Sequence, residues 1–510
     1  MLEKPQEKRQ EKLPISTPLF KDSQEEFVYG MTPERIDAYV DRMGNVIKRF
    51  GLKPWARLPA GCVHGLFYWE SQNKIASVAD GKTFLVTKVG DVEDITGDKL
   101  YPNTRVSFAD DGQFIYMANG GKIVYYADFL KWLNINCDHP ALDQITGDGR
   151  MGNFPGDSLF PDKTHYFESD TAPDRVTHLA IFSQYLLCNK AGTNLWLWSD
   201  VGNPLSFNAL NFASAEMKAD NIVALTAERD EITLFGTRSK EFWLETGEDI
   251  APFIKQRGIS IDRGTGAIYS ITNADFTWYE IDNERRLCRL NGRTPEIVSA
   301  AMDKELSALT RIDDCIMDNV IVGGRTFLVM TFPTDNKTFV YDYATKQYVG
   351  QWAYYDSASG NYNRWRGNCY LYVPQWNKHL VGDVSNGIIY EMTDTEYTDG
   401  GDIIRTSQRT PYINHGTSNL KRCDRLAIKA KRGQNDFKSR QPVCELRYRN
   451  EDGVWEEPIT IKLGNVGEYD FIAYEYNLGY YVKRQWEILH TDNSPFILAE
   501  LEETFEVMEI

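Results

Sequence analysis

Residues 106–126 read VSFADDGQFIYMANGGKIVYY and consist of three apolar segments separated by two polar turns. The apolar segments are rich in aromatic and β-branched residues, which favour strands. The intervening Asp-Asp-Gly and Gly-Gly sequences are typical of tight turns. This stretch therefore predicts three consecutive antiparallel strands.

The same unit recurs along the chain. One copy covers residues 176–198 and another covers residues 222–244. The second turn of successive units is marked by Gly81, Gly121, Gly192, Ser239, Glu284, Asn336 and Gly387. Five of the six separations between these marker residues are 40–52 residues, and the remaining one is 71. Because four-stranded propeller blades run about 40–50 residues, the spacing predicts six or seven blades between about residues 60 and 397.

We predict an all-β chain with three parts. Residues 1–60 form an N-terminal arm and a short helix, residues 61–397 form a β-propeller, and residues 398–510 form a C-terminal antiparallel β-sandwich-like domain. The 71-residue separation contains residues 131–172, which are rich in Pro, Gly and Asp and are interpreted as an inserted loop. The alternative is a pair of unrelated β-sandwiches with evenly spaced turns.

The N-terminal part has two expected features. Residues 1–15 are mostly Glu, Lys and Gln with little to bury, which predicts a mobile arm unless a partner orders it. Thr32 and Pro33 then resemble a helix start. The apolar residues that follow at helical spacing, and so predict a short amphipathic helix, are Ile36, Val40, Met43 and Ile47.

The C-terminal part has a different pattern of short apolar segments and turns. Strands are expected at residues 426–430, 444–448, 459–463, 484–489 and 496–500. Spacing of this kind is typical of an antiparallel sandwich of about 100 residues.

The charge balance argues against a sequence-specific DNA-binding protein. The 510 residues include 73 acidic and 56 basic side chains, and the formal net charge is −17. Such a surface repels phosphates as a whole. An acidic wall would nevertheless suit a conduit, because DNA can slide past a surface that does not bind it.

The cysteines and the termini suggest no redox, zinc or membrane function. The eight cysteines are widely separated and form no C-x-x-C pair, which favours free, mostly buried thiols. The first residues, MLEKPQEKRQEKLP, have no apolar segment like that of a signal peptide, so we do not expect export by secretion. No run of about 18 apolar residues predicts a membrane span.

The sequence offers few candidates for chemistry. The carboxylate pairs Asp110-Asp111 and Asp313-Asp314 could act as acid and base only if folding placed them beside a scissile bond, and adjacent acids in turns are usually solvated. The Asp138-His139 pair has ligand chemistry but no further ligands nearby. No sialidase-type Asp-box recurs. We therefore assign no catalytic, metal-binding or cofactor-binding residue and expect a protein that is not an enzyme.

Two oppositely charged segments lie near the C-terminus. Residues 421–440 hold eight basic residues, and residues 500–510 contain five glutamates. The basic segment could bind phosphates or an acidic neighbour, including the acidic tail of another copy. The alternative is a hairpin strand with Leu426 and Ile428 facing inward.

Several motifs resemble a known family. The segments are WLWSDVGNPLSF at 196–207, FASAEMKADNIVALTAERDEITLFGTRSKEFWLETG at 212–247, GISIDRGTGAIYSI at 258–271, FTWYEIDNERRLCRLNGRTPEIVS at 276–299 and HLVGDVSNGIIYEM at 379–392. Their order resembles the DNA-stabilisation (tail hub or nozzle) family of short-tailed, P22-like bacteriophages. The segment beginning LRYRNEDGVWEEPITIKLGN at 446–465 is similar to the closing β-domain of that family. The N-terminal 55 residues and the insertion at 131–172 depart from it.

The resemblance implies a structural protein of the virion tail, assembled in the host cytoplasm. Several copies, typically six, would form a ring below the portal and adaptor, and this ring would retain packaged DNA and allow its ejection. The partners implied are other copies of the chain, the portal-adaptor protein, tail fibre or spike and tail plug proteins, and DNA that passes without specific binding. The main alternative is a receptor-binding or glycan-degrading tail protein, and a cellular propeller scaffold is a further one.

Overall fold

The alternating apolar segments of the sequence form antiparallel strands throughout the computed structural model. The structure describes residues 8–15, 34–127, 163–167, 171, 173–215, 218, 220–228, 230–248, 251–431, 441–451, 453–465 and 472–508. Helical structure in these residues is confined to an α-helix at Asp303–Ser307 and 3-10 turns at Glu70–Gln72 and Ala300–Met302. The all-β prediction is confirmed.

Among residues 8–15 and 34–57, five strands precede the first complete blade. They are β1 (Arg9–Lys12), β2 (Arg35–Ile36), β3 (Ala38–Val40), β4 (Val46–Lys48) and β5 (Gly51–Arg57).

The strands from residue 63 to residue 403 form a series of small antiparallel sheets. Blade 1 has β6 (Val63–Trp69), β7 (Lys74–Ala79), β8 (Lys82–Val86) and β9 (Val92–Asp94); blade 2 has β10 (Ser107–Asp110), β11 (Phe114–Ala118), β12 (Val124–Ala127) and β13 (His165–Tyr166); blade 3 has β14 (Leu179–Phe182), β15 (Tyr185–Asn189), β16 (Leu195–Trp198) and β17 (Phe212–Ser214); blade 4 has β18 (Ile222–Glu228), β19 (Glu231–Gly236), β20 (Lys240–Glu245) and β21 (Phe253–Ile261). Blade 5 has β22 (Thr272–Ala274), β23 (Thr277–Ile281), β24 (Leu287–Asn291) and β25 (Thr294–Ile297); blade 6 has β26 (Ile316–Val322), β27 (Arg325–Phe332), β28 (Lys337–Asp342) and β29 (Gln347–Gln351); the hairpin β30 (Ala353–Asp356) and β31 (Asn361–Arg364) follows; blade 7 has β32 (Gly367–Val373), β33 (Lys378–Asp383) and β34 (Ile388–Thr393); β35 (Thr398–Asp399) and β36 (Asp402–Ile403) come last.

The described residues thus contain seven four-stranded units, which confirms the predicted propeller of six or seven blades. Each marker residue lies in the turn between the second and third strands of its blade. Gly81, for example, separates β7 from β8 and adopts a left-handed backbone with φ +76°. The sequence repeat was therefore the repeat of the blade itself.

The ring is closed by a strand from the N-terminal part of the chain. Strand β5 pairs antiparallel with β34 and supplies the fourth strand of blade 7, while β32 of that blade lies beside β6 of blade 1. The prediction that residues 1–60 form only an arm and a helix is wrong for this segment. Leu52 and Ala56 are buried, while their neighbours Lys53 and Arg57 are exposed, as in a strand that packs one face.

The predicted helix over Ile36–Ile47 is also wrong. These residues form β2 and the hairpin β3–β4, whose turn is built by the Asp41 carboxylate accepting hydrogen bonds from the backbone N–H groups of Met43 (2.7 Å) and Asn45 (2.9 Å). Gly44 supplies the left-handed backbone (φ +85°) of the turn. Thr32 and Pro33 lie outside the described residues.

The predicted insertion at 131–172 includes an outer strand of the propeller. Residues 128–162 lie outside the described residues, but β13 pairs with β12 and is the fourth strand of blade 2. His165 and Tyr166, which were predicted to belong to the insertion, therefore belong to a blade strand.

The described residues of the C-terminal part form eight strands, of which several extend the predicted ones. They are β37 (Thr406–Arg409), β38 (Lys421–Ala430), β39 (Val443–Asn450), β40 (Ile459–Lys462), β41 (Ala473–Tyr476), β42 (Tyr480–Tyr481), β43 (Arg484–His490) and β44 (Ile497–Val507).

These strands form two sheets packed on one apolar core, as a sandwich requires. One sheet has the order β3-β4-β44-β38-β41, with β1 beside β44 and β42 beside β38; the other contains β37-β43-β39-β40. Leu426 and Leu498 of the first sheet share the core with Leu446 and Trp486 of the second. Strand β2 pairs with both β29 and β37, so the second sheet is continuous with blade 6.

Candidate functional site

The axis of the propeller is crossed by an ion pair. Arg105 lies just before β10, the first strand of blade 2, and Asp318 lies on β26, the first strand of blade 6. The Arg105 guanidinium pairs with the Asp318 carboxylate through both nitrogens, and its Nη1 also donates to the backbone oxygen of Asn368 in blade 7 (2.7 Å). Burial lowers the pKa of Arg105, but Asp318 raises it above its ordinary value, so the guanidinium is charged.

An aromatic contact crosses the same region between two other blades. The rings of His178, at the start of blade 3, and Tyr269, ahead of blade 5, have centroids 5.8 Å apart. Burial lowers the pKa of His178 to about 4, so this imidazole is neutral at physiological pH. Because blades 2 and 6, and blades 3 and 5, are not neighbours in the ring, these contacts can form only across its centre. They close the axis.

In blades 1 and 3, a polar side chain near the end of the second strand binds the backbone that leads into the first strand. Asp80 accepts hydrogen bonds from the backbone N–H groups of Gly61 (2.5 Å) and Cys62 (3.1 Å). In blade 3, Asn189 accepts them from Thr177 (3.2 Å) and His178 (2.9 Å). These hydrogen bonds were not predicted from the sequence, although the Asp or Asn just before each of the two marker turns could have indicated them.

The carboxylate pair in blade 2 shapes a turn. The Asp111 carboxylate accepts hydrogen bonds from the backbone N–H groups of Gln113 (2.9 Å) and Phe114 (2.7 Å) and from the hydroxyl of Tyr116 (2.9 Å). Its neighbour Asp110 accepts one from the backbone N–H of Gly112 (3.2 Å).

The second carboxylate pair is also engaged in local contacts. Asp313 binds the Arg311 guanidinium, which holds the pKa of this carboxyl below its ordinary value. Asp314 accepts a hydrogen bond from the backbone N–H of Thr334 (2.8 Å). Neither pair is arranged as an acid and a base around a cleft.

Metal and thiol chemistry find no support in the described part of the chain. It contains no group of three His, Cys, Asp or Glu side chains able to hold a metal ion. Asp138-His139 lies outside the described residues. The seven described cysteines are free and, apart from the half-buried Cys62, buried. Burial raises the pKa of the Cys369 thiol to about 12, so it is unreactive at neutral pH.

The acidic tail pairs with the basic segment of the same chain. Strand β44 runs antiparallel to β38, and Arg422 binds Glu506 (2.8 Å) while Lys429 binds Glu500 (2.5 Å). The idea that the tail answers the basic segment of a neighbouring copy is therefore wrong for residues 421–431. Residues 432–440 lie outside the described residues.

Residues 8–15 are held on the C-terminal domain by their own chain. Strand β1 pairs with β44, and the side chains of Leu13 and Ile15 are buried in the C-terminal core. Lys8 binds Asp424 (2.7 Å) and Lys12 binds Glu500 (2.5 Å). The expectation of a mobile arm is wrong for these residues, because their two apolar side chains provide burial that the charged composition concealed.

The side chain of His415 links β1 to β44. The imidazole of His415 is 1% exposed and lies between the carboxylates of Glu11 (2.7 Å from Nδ1) and Glu503 (3.2 Å from Nε2). Its ring stacks on Phe505 at a centroid distance of 3.8 Å. Burial lowers the pKa of His415, but the hydrogen bonds to Glu503 and Glu11 outweigh it and raise the pKa above its ordinary value.

A buried arginine joins the N-terminal hairpin to the strands between the domains. Arg49 binds Asp37 through Nε (2.6 Å) and Asp399 through Nη1 (2.9 Å) and Nη2 (2.6 Å), and all three side chains are at most 1% exposed. Its Nη2 also donates to the backbone oxygen of Ala353, next to blade 6. Burial raises the pKa of Asp37 to about 6, although Arg49 opposes the shift.

No helix in the described ranges is long and apolar enough to span a membrane.

Comparison with solved structures gives distant likenesses. The chain is similar to the extracellular domain of a protein assigned as a hybrid two component system, BT4673 from B. thetaiotaomicron, with 11% identity, a TM-score of 0.42 and coverage of 81% of this chain and 47% of that one. A second structure, described as a one component system BT4673 extracellular domain, gives 11% identity, a TM-score of 0.42 and coverage of 90% and 62%. The chain thus spans about half to three fifths of these relatives. No curated protein matches it in sequence.

The model of one protein family matches the propeller. It is the Phage_stabilise family, described as bacteriophage P22 Gp10, beta-propeller, and the match covers residues 60–397. The matched region contains all seven marker turns and the closed axis described above. The chain belongs to the P22 Gp10 phage stabilisation family of structural β-propeller proteins.

Proposed function

We propose that this protein is a tail nozzle or hub subunit that forms a ring of several copies, six in number, below the portal and its adaptor. The ring extends or closes the DNA channel, retains packaged DNA and allows its ejection. Family membership over residues 60–397 supports a phage structural role in DNA stabilisation. The ring, its copy number and its place in the tail are the proposal.

The closed axis is the observation that carries the proposal of a multi-copy ring. Arg105 and Asp318 meet across the centre of the propeller, and His178 and Tyr269 fill the space beside them. A double helix cannot pass through such a centre. If the protein lines a DNA channel, several copies must therefore surround the DNA with their outer surfaces.

The charge of the chain supports passage without tight binding. A net charge of −17 disfavours the release of counterions by which basic proteins hold DNA. The adaptor, tail fibre or spike, and plug proteins are the expected neighbours of such a ring. It would be assembled in the host cytoplasm and remain in the virion tail.

The family is structural, and the carboxylates that were considered as catalytic candidates form local hydrogen bonds and ion pairs. Asp111 and Asp313 stabilise turns and ion pairs of the propeller. A glycan-degrading tail protein, the main alternative, requires two carboxyl groups that converge on a scissile bond. No observation on the described residues of the propeller favours that alternative.

The decisive experiment disrupts the gene in its phage and follows the DNA content of the particles. Particles that package DNA and then lose it would support the proposal. Particles that stay full of DNA and only fail to adsorb to the host would contradict it and favour a receptor-binding protein. Native mass spectrometry of the purified chain, with or without adaptor, tests the ring independently, and six copies are expected.

A further inference from the structure

A groove of about 770 Å³ is formed by strands of the C-terminal domain and by β1. Lys8 of β1, Arg422, Asp424 and Arg425 of β38, and Tyr476 and Tyr480 at the ends of β41 and β42 are among the residues that line it. We call it the tyrosine groove. The residues that line it lie outside the propeller strands, and its volume lies within the range of ligand-binding clefts.

Two aromatic side chains in the groove are open to solvent. Tyr476 is 60% exposed and Tyr480 is 53% exposed. Tyrosine rings bury large apolar areas when they are covered, so exposed rings in a concave site favour a binding surface. The flat apolar faces of sugar rings stack on such side chains. The Tyr480 side chain is hydrogen-bonded to Arg422, so its ring face is the part open to a ligand.

The polar side chains of the groove are already fixed in position. Arg422 is held by Asp424 (2.8 Å) and Glu506 (2.8 Å), and Asp424 is also bound by Lys8 (2.7 Å). Arg425 donates to the hydroxyl of Thr504 (3.2 Å). A guanidinium carries five N–H donors, so Arg422 and Arg425 retain donors beyond these contacts.

The charge balance of the groove argues against DNA as its ligand. Asp424 and Glu506 offset two of the three cations, and the chain as a whole is strongly acidic. Counterion release, which drives binding to DNA, needs several uncompensated cations. A ligand with many hydroxyl groups and few charges fits the mixed donors and acceptors better.

We propose that the tyrosine groove binds an oligosaccharide of the bacterial surface, with Tyr476 and Tyr480 stacking on sugar rings and Arg422, Asp424 and Arg425 binding hydroxyl groups. The site binds without cleaving. Burial raises the pKa of Asp424, but the hydrogen bonds from Lys8 and Arg422 lower it below its ordinary value, so this carboxyl is not a proton donor at neutral pH. The inference does not rest on the ring proposed above, because the groove lies within one chain.

The test uses the full chain and calorimetric titration with defined fragments of lipopolysaccharide O-chains and of capsular polysaccharides. At least one fragment is expected to bind, and Tyr476→Ala and Tyr480→Ala are each expected to weaken binding about tenfold. Tyr476→Phe should retain most of the affinity, because it keeps the ring. Tyr101→Ala is the matched control, since Tyr101 is a similarly exposed tyrosine (56%) of the propeller.

Circular dichroism would confirm that each variant folds, and assays for new reducing ends should detect no hydrolysis. The proposal is overturned if no fragment binds the wild-type chain, if the two groove variants bind as well as wild type, or if an acidic peptide binds the groove in place of sugars. Phage carrying Tyr476→Ala should still retain their DNA. If these particles lost their DNA, the result would bear on the proposed nozzle function and not on sugar binding in the tyrosine groove.

Discussion

Arg105 and Asp318 form an ion pair across the axis of the propeller, although 213 residues separate them along the chain. The pair joins blade 2 to blade 6, and the Asn368 backbone oxygen adds blade 7 to the contact. Their side chains are only 19% and 15% exposed. The pair therefore contributes to holding the ring together as well as closing its centre.

Arg105→Ala should destabilise the protein by about 2–4 kcal/mol, because it leaves the Asp318 carboxylate in a poorly solvated site without its counter-ion. Urea unfolding of the purified chain measures the change. The control is Lys74→Ala, which removes the more exposed pair with Glu93 and should cost less than about 1 kcal/mol. Equal effects of the two changes would show that the axial pair has no special role.

Two marker glycines offer a matched pair of substitutions. Both Gly192 and Gly387 have a left-handed backbone, with φ +77° and +67°. An added Cβ at Gly192 meets nothing within 4 Å, whereas at Gly387 it would lie 2.0 Å from the backbone oxygen of Ala60. Gly192→Ala should therefore cost about 1–2 kcal/mol, from backbone strain alone.

Gly387→Ala should cost clearly more, because the ring-closing segment next to β5 must also move. Thermal unfolding of both variants tests this difference. A smaller loss of Tm for Gly387→Ala than for Gly192→Ala would contradict the close approach of blade 7 to residue 60.

The sequence predictions were accurate for structure that depends on residues close in sequence, and wrong for structure that depends on distant ones. The marker turns were predicted because a blade hairpin is a local structure. Strand β5 was missed because its partner β34 follows more than 330 residues later, and no local pattern reports such a pairing. The helix at Ile36–Ile47 was predicted from the Thr32-Pro33 start and the apolar spacing, yet Met43 is 86% exposed at the tip of a hairpin.

The candidate sites were harder to predict than the fold for the same reason. Arg105 and Asp318, or His415 and Glu11, are distant in sequence and carry no motif. By contrast, the alternative interpretation of the basic segment, with Leu426 and Ile428 facing inward, is confirmed for residues 421–431, because alternation along one strand is local.

The attachment of β1 should depend on pH through His415. The pKa of this histidine is raised in the folded protein, so its contribution is complete below the unfolded value of about 6.5 and is lost as the pH rises through the higher folded value. Glu11 and Glu503 face the ring from β1 and β44, and the Tyr481 hydroxyl donates to Glu503 (2.7 Å). Hydrogen-exchange protection of residues 9–13 should therefore fall at alkaline pH.

His415→Gln should remove this pH dependence and lower protection at pH 6 by about tenfold, the equivalent of one charge-assisted hydrogen bond of about 1.5 kcal/mol. His379→Gln, in blade 7, serves as the control and should leave residues 9–13 unchanged. Protection that is independent of pH in the wild-type protein would show that Leu13 and Ile15 alone hold the strand.

Arg49 should be the most sensitive of the buried charges. Arg49→Ala leaves the carboxylates of Asp37 and Asp399 buried without their shared cation, which costs about 3–5 kcal/mol when a buried pair is broken. Arg49→Lys keeps the charge but cannot bind Asp399 through two nitrogens, so an intermediate loss is expected. Calorimetric unfolding at pH 7 gives the order wild type, Arg49→Lys, Arg49→Ala.

The pH dependence of Arg49→Ala separates lost charge pairing from lost packing. Without the arginine, the Asp37 carboxyl, whose pKa burial already raises to about 6, should take up a proton more readily, so the variant should recover stability relative to wild type as the pH falls from 7 towards 5. A deficit that stays constant over this range would mean that the guanidinium acts by packing alone. A deficit that shrinks would show that it neutralises buried carboxylate charge where the N-terminal hairpin, blade 6 and strand β35 meet.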